Sequence, residues 1–130
     1  SVYTTSLSSG SHITFSSLGG KYILYINYDS GSQVWQINVS NTTQITIPAV
    51  VNKLYSFVIC VSASYVYVYV NGALAATEAR SVYTGSTAWV SIGRSDGLNS
   101  IVFNIYEFIL WDFAMDDWMA KALSAQGGLI

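Results

Sequence analysis

The stretch Tyr65-Val66-Tyr67-Val68-Tyr69-Val70-Asn71-Gly72 predicts the fold class of this chain. Aromatic and apolar residues alternate with a period of two, which places the tyrosines on one face of a β-strand and the valines on the other. Asn-Gly then predicts a two-residue hairpin turn, because both residues tolerate positive φ. The chain is therefore expected to reverse direction through residues 73–79.

Short runs of similar pattern occupy most of the remaining sequence. They lie at residues 11–16, 21–28, 33–39, 43–47, 54–62, 89–93 and 101–111. The tetrad Asp29-Ser30-Gly31-Ser32 is a turn signal that predicts a hairpin between the second and third runs. Many short strands, with turns at intervals of about 8–12 residues, are typical of an antiparallel sandwich or barrel.

The last segment changes its period. Apolar residues at helical spacing predict an amphipathic helix within residues 112–126, with an acidic first turn and a diglycine stop. The predicted buried stripe is Met115, Trp118, Met119, Ala122 and Leu123. Trp118 is expected to pin the helix to the strands, and Trp89 and Trp111 are also expected in the core.

Composition limits the classes of partner. The chain has 130 residues, which fits a single domain spanning 1–130, and it is 52% hydrophobic but only 9% charged. A net charge of −2, with five basic residues scattered along the chain, argues against a nucleic-acid partner. No apolar run reaches the roughly 18 residues that a transmembrane helix needs, so membrane insertion is not expected.

The second half of the sequence resembles the laminin-G-like, or concanavalin A-like lectin/glucanase, superfamily. The resemblance covers roughly residues 50–126 and is carried by an ordered set of elements: the strand at 54–62, the turn Tyr69-Val70-Asn71-Gly72, the strand end Ser91-Ile92-Gly93, the long strand at 102–111 and the helix at 115–123. It implies a two-sheet antiparallel jelly-roll sandwich with a short C-terminal helix.

Catalysis is not expected. Glucanases of the resembled superfamily carry alternating carboxylates on one strand face, whereas Glu107 and Asp112 are five residues apart and so point to opposite faces of a regular strand. His12 is the single histidine, and the sequence has no nucleophile-elbow motif with which it could form a catalytic triad. No spacing typical of zinc ligands is present either. Cys60, the single cysteine, is expected to be a buried thiol.

Candidate ligand-binding residues come from the aromatic side chains and one loop. Tyr28, Trp35 and the row Tyr65, Tyr67 and Tyr69 offer ring faces for stacking a sugar or for a subunit contact, with Asn99 as a polar contributor. Trp35 also fits a core position, and the tyrosine row also fits a concave sheet face covered by loops. The resemblance also implies a rim calcium ion, for which Asp29 and Asp96, with Asn99 in the same loop, are the candidate oxygen ligands. No other cofactor is expected.

Two functions remain open. The leading hypothesis is a non-catalytic carbohydrate- or surface-recognition module, lectin-like, on an extracellular or particle surface and binding a glycan or protein surface. The alternative is a structural subunit of a virion, filament or cell-surface assembly, favoured by the low charge, which suggests self-association. Consecutive acceptor triplets at Asn38 and Asn41 fit an outside location.

Overall fold

The computed structural model describes residues 2–4, 10–17, 22–29, 31–39, 43–50, 53–79, 87–92, 103–105, 113 and 115–126. The chain is organised as two compact units. The five-stranded unit comprises residues 5–51 and 81–102, and the helical unit comprises residues 1–4, 52–80 and 103–130. The prediction of a single domain is not tested by this division and stays a prediction.

The five-stranded unit is an antiparallel sheet in the order β10-β2-β3-β4-β5. Its strands are β2 (Gly10–Ser17), β3 (Tyr22–Asp29), β4 (Val34–Val39), β5 (Thr43–Pro48) and β10 (Thr87–Ile92). Strands β3 to β5 alternate between buried apolar residues and more exposed residues, as expected for a sheet with one face in a core. The described residues on the buried face are Leu24, Ile26, Tyr28, Trp35, Ile37, Val39, Ile45 and Ile47.

The helical unit has two three-stranded antiparallel sheets, in the orders β11-β1-β6 and β7-β8-β9. Their strands are β1 (Val2–Thr4), β6 (Leu54–Tyr55), β7 (Phe57–Val61), β8 (Tyr65–Val70), β9 (Ala73–Ala79) and β11 (Phe103–Ile105), and the helix is α1 (Asp117–Gln126). The predicted hairpin at Asn71-Gly72 is confirmed, because both residues have positive φ and Val70 pairs with Ala73.

Asn71 also connects the two sheets of the helical unit. The strand predicted at residues 54–62 is interrupted at Ser56, between β6 and β7. There the Asn71 amide donates to the Ser56 carbonyl (3.1 Å), and the Ser56 amide donates to Asn71 Oδ1 (2.9 Å). One side chain therefore shapes the β8–β9 turn and satisfies a backbone group that the interruption would otherwise leave unpaired.

Helix α1 packs on the tyrosine face of β7 and β8. Val58, Cys60, Tyr69 and Ala120 form a buried cluster, against which Tyr67, Met115 and Leu123 pack. Near the end of the helix, the buried Ser124 hydroxyl accepts from the Gly72 amide (2.9 Å) and donates to the Lys121 carbonyl (3.1 Å). The hydroxyl thus joins the helix to the β8–β9 turn with both of its hydrogen-bonding functions used.

The predicted burial of Trp118 is wrong. Trp118 is 67% exposed, whereas Ala120 and Ser124 are fully buried. Trp118 precedes Ala120 by two residues, which places it about 200° away around the helix. Small residues face the strands because the helix approaches them closely: a Cβ on Gly72 would lie 3.0 Å from the Ala125 Cβ. The buried face is therefore shifted by one residue from the stripe predicted by hydrophobicity.

Other predictions concern the strands. The described parts of the predicted strands are extended, residues 73–79 form a full strand, and β1 was not predicted. Gln33 belongs to the turn rather than to β4 and has a positive φ of 53°. Burial of Cys60 is confirmed. The Trp89 side chain and Trp111 lie outside the described residues.

Candidate functional site

The row Tyr65, Tyr67 and Tyr69 is not an open platform. Tyr65 is 47% exposed and Tyr67 is partly buried, but only 3% of Tyr69 is exposed. Helix α1 covers the end of the row, and the Tyr69 hydroxyl donates to Asp117 Oδ1 (3.2 Å). The expectation of open ring faces therefore fails at Tyr69, because the face that the three tyrosines share is the docking surface of the helix.

Tyr28 and Trp35 are also buried, so neither offers an exposed ring to a ligand; this is a correction for Tyr28, and for Trp35 it agrees with the core position that the sequence left open. Their relative exposures are 1% and 0%, and their ring centroids lie 5.6 Å apart in a tilted arrangement. They are directly opposite each other in the β3–β4 ladder, on the apolar face of the sheet. Cross-strand aromatic packing of this kind stabilises a sheet.

Of the predicted calcium ligands, the structure describes only Asp29. Asp29 closes the β3–β4 turn: its carboxylate accepts from the Gly31 amide (3.0 Å) and from the Ser32 hydroxyl. Asp96 and Asn99 lie outside the described residues. Among the described residues, no group of three or more His, Cys, Asp or Glu is placed to hold a metal. Calcium at Asp29 and Asp96 stays a prediction.

The other face of strands β3 to β5 carries a set of uncharged polar groups. The strand register aligns them in two rows across the sheet, Tyr25–Asn38–Gln44 and Asn27–Gln36–Thr46. Neighbouring rows lie about 7 Å apart along the strands, and neighbouring strands about 5 Å apart. We call these six residues the polar face. Its β3 and β4 residues are partly buried, while Gln44 and Thr46 on β5 are exposed.

Hydrogen bonding divides the polar face into an ordered part and an available part. Gln36 Nε2 donates to Asp29 Oδ2 over a long 3.5 Å, and Asn27 Nδ2 donates to Gln36 Oε1 (3.0 Å). Within the described residues, the Asn38, Gln44 and Thr46 side chains make no side-chain hydrogen bond. Three neighbouring groups can therefore both donate to and accept from a ligand.

Charge is almost absent from this sheet. In the described part of the five-stranded unit, Asp29 is the single Asp, Glu, Lys or Arg. Asp29 is the last residue of β3 and pairs with Val34. On the face of the sheet that carries Asn27 and Gln36, this pair forms the next row along the strands. The six side chains of the polar face are themselves uncharged.

The titratable groups around α1 serve packing. Burial is the main cause that raises the pKa of Tyr69 to about 12, and the Asp117 carboxylate adds to the shift. The Lys121 ammonium, 2.8 Å from Asp117 Oδ2, is the main cause that lowers the pKa of Asp117. Burial raises the pKa of the Cys60 thiol, which keeps it protonated and unreactive at neutral pH.

Comparison with known proteins identifies the family. A laminin-G family model, described as the concanavalin A-like lectin/glucanases superfamily, matches residues 2–117. The chain belongs to this superfamily. The predicted membership is confirmed, and with it the antiparallel jelly-roll sandwich fold, to which the described strands and the C-terminal helix conform. No curated protein and no solved structure matches the chain.

Membership of the concanavalin A-like superfamily also gives a coarse function. Laminin-G-like domains bind glycans or proteins, are generally non-catalytic and are typically extracellular, although the superfamily also includes glycosidases. Across the described ranges, no helix has the length and apolarity that crossing a bilayer requires. The coarse function of the chain is therefore that of a binding module.

The polar face is not evident from the sequence alone. Its signal lies in the alternation of residues 33–39, where Gln36 and Asn38 alternate with Trp35 and Ile37. The signal is weak because, within a single strand, exposed amides are ordinary solvated residues. Only the cross-strand register brings amides of three strands into adjacent rows.

Proposed function

We propose that this chain is a non-catalytic glycan-recognition module, acting on an extracellular or particle surface and binding through the polar face. The observation that carries the proposal is the pair of uncharged rows, in which Asn38, Gln44 and Thr46 are adjacent and have no side-chain bonds within the described residues.

The chemistry of this face suits carbohydrate. Sugar hydroxyls both donate and accept, and so do carboxamides and the threonine hydroxyl, so either partner can adapt its direction of bonding. The Tyr25 ring, partly buried at the end of one row, adds an amphipathic surface of the kind on which sugar rings pack. Because the groups project from a regular sheet, they are held in place by paired backbone.

The state of Asp29 supports binding without hydrolysis. Glycoside hydrolysis generally requires two carboxyl groups, about 5–9.5 Å apart, on either side of the bond that is cleaved. The Asp29 carboxylate is occupied by its own turn, through Gly31 and Ser32, and by Gln36. Its hydrogen bonds fit a structural role at the edge of the site.

A direct test measures binding to a panel of immobilised glycans, followed by calorimetry on the glycans retained. Asn38→Ala and Gln44→Ala should each weaken binding about two- to tenfold, the range expected for losing one neutral hydrogen bond. Thr77→Ala, which truncates an exposed threonine on β9 in the other unit, is the matched control and should bind as the wild type does.

Two results would count against the proposal. One is a folded wild-type chain that retains no glycan on the panel. The other is a glycan bound equally by the wild type, Asn38→Ala and Gln44→Ala, since its site would then lie elsewhere on the chain.

The structural-subunit alternative is favoured by a separate observation in the helical unit. Trp118 is 67% exposed on the outer side of α1, and Phe113, just before the helix, is 56% exposed. Large exposed aromatic side chains are enriched at protein interfaces. If these exposed side chains drive assembly, sedimentation of the wild type should depend on concentration and Trp118→Ser should sediment as a monomer. A wild type that stays monomeric at high concentration would reject the alternative.

A further inference from the structure

The rows of the polar face run across the strands and extend beyond β3. The row Tyr25–Asn38–Gln44, which we call the first row, continues because Tyr25 pairs with Thr14 on β2 and Thr14 pairs with Ser91 on β10. One line of paired residues therefore crosses all five strands of the sheet. Every residue type on it carries a hydroxyl or a carboxamide: Ser91, Thr14, Tyr25, Asn38 and Gln44.

The first row is continuous because the irregularities of the sheet lie to either side of it. The β2–β3 register shifts between Ser11 and Ile13 and again between Phe15 and Ser16, which leaves Thr14 within a regular stretch. The β10–β2 register shifts between Thr87 and Trp89, before Ser91. The second row, Asn27–Gln36–Thr46, meets the first of these shifts at its β2 end, so the first row is the longer regular one.

The polar face is long across the strands and short along them. Neighbouring strands are about 5 Å apart, so the first row spans about 10 Å over β3 to β5 and about 19 Å over all five strands. Along the strands, the row that follows Asn27–Gln36–Thr46 is Asp29–Val34–Pro48, which has no uncharged side chain that can hydrogen-bond. A ligand that follows the uncharged polar groups therefore crosses the strands.

We infer that the polar face binds an internal segment of an extended, linear glycan, which lies across the strands with one sugar over each strand. This inference rests on the proposed function and names its class of ligand. In an extended chain of equatorially linked sugars, each sugar advances by nearly the spacing of neighbouring strands. Hydroxyls line both edges of such a ribbon, so the two rows, about 7 Å apart, each bond one edge while the Tyr25 ring packs on the sugar above β3.

Binding should consequently depend on the length of the glycan. Each further sugar reaches a further strand and gains about one neutral hydrogen bond, which strengthens binding about two- to tenfold. From two sugars to five, affinity should therefore rise by about eightfold or more. It should then level off, because the first row ends on β10 and on β5.

The experiment is calorimetry with oligosaccharides of increasing length. Cello-, manno-, xylo- and chito-oligosaccharides supply extended chains of two to six sugars. Malto-oligosaccharides of the same lengths are the matched ligand control, since they contain the same glucose as the cello-oligosaccharides but their linkage makes the chain curl. The series that the wild type binds most tightly should be an extended one that levels off near five sugars, and the malto series should gain little beyond two.

A double variant at one end of the rows tests the direction of the ligand. Gln44→Ala with Thr46→Ala removes both exposed polar groups of β5. It should weaken binding of a five-sugar chain at least about fourfold and move the levelling-off to about four sugars. A two-sugar chain should be bound within about twofold as before, because it still fits over the other strands. Thr77→Ala, the control on β9, should change binding at no length.

The possible results separate the two proposals. Three results overturn the crossing geometry and leave glycan recognition standing: affinity that levels off at two sugars, malto chains bound as tightly as extended chains of equal length, or a double variant that affects all lengths alike. A wild type that retains glycans on the immobilised panel but binds none of these oligosaccharides has the same meaning. A folded wild type that binds neither the panel nor the oligosaccharides overturns both proposals.

Discussion

The approach of α1 to the β8–β9 turn can be tested at Gly72. Gly72 has a φ of +89°, and a Cβ placed on it would lie 3.0 Å from the Ala125 Cβ, closer than two carbon atoms pack. Gly72→Ala therefore combines backbone strain of about 1–2 kcal/mol with overpacking of about 1–3 kcal/mol. The free energy of unfolding should fall by about 2–5 kcal/mol.

A double-mutant cycle separates the two contributions. Removing the Ala125 side chain leaves 3.6 Å to the Ala125 Cα and 3.8 Å to the Lys121 carbonyl, which are ordinary van der Waals distances. In an Ala125→Gly background, which by itself should lower stability by about 1 kcal/mol, Gly72→Ala should retain only the backbone part. A coupling energy of at least about 1 kcal/mol is expected between the two sites.

The assay is urea unfolding followed by circular dichroism, with the slope compared among variants to check that the unfolded states are alike. Gly31→Ala is the matched control, because a Cβ there would meet Asp29 Oδ1 at an acceptable 3.4 Å and no positive φ is found at Gly31. It should change stability by less than about 1 kcal/mol. If Gly72→Ala costs the same with and without the Ala125 side chain, the close approach described here is wrong.

Three further predictions concern the helical unit. Because the pKa of Tyr69 is raised to about 12, the folded state keeps a proton that the unfolded state loses above pH 10, and stability should therefore fall between about pH 10 and 12. Tyr69→Phe should flatten that fall in alkaline unfolding curves, while Tyr65→Phe, at an exposed position, should preserve it. Asn71→Gly keeps the turn but removes the acceptor of the Ser56 amide, so it should lower the free energy of unfolding, measured in urea, by about 1–3 kcal/mol. An unchanged free energy of unfolding would show that Asn71 does not join the two sheets. Trp118→Ser should change monomer stability by no more than about 0.5 kcal/mol, whereas Ala120→Leu on the buried face should lower it by about 1–3 kcal/mol. If Trp118→Ser instead lowered the thermal midpoint more than Ala120→Leu, the burial pattern predicted from hydrophobicity would be the correct one.

The strands were predictable because their signals are local. Alternation over six residues and the Asn71-Gly72 turn specify the β7–β8–β9 region without knowledge of distant contacts. The same alternation says only that tyrosines and valines lie on opposite faces. It does not say what covers each face, and here α1, almost 50 residues further along the chain, buries Tyr69 but leaves Tyr65 exposed.

The orientation of α1 was not predictable from hydrophobicity. A hydrophobic stripe points Trp118 inward, but at short helix–strand distance the deciding property is size. Ala120 and Ser124 fit where tryptophan does not, and the hydroxyl of Ser124 gains a partner in the Gly72 amide. The polar face was hidden for a related reason, since its two rows exist only once the register of three strands is known.

The position of β1 has a consequence for biosynthesis. Val2–Thr4 pairs on one side with Leu54–Tyr55 and on the other with Phe103–Ile105, segments roughly 50 and 100 positions downstream. Because translation proceeds from the amino to the carboxyl end, this strand must wait for roughly 100 further residues to be translated before it gains its second neighbour. Such distant pairings make assembly slow, and until it is complete β1 retains an open edge through which two growing chains can associate.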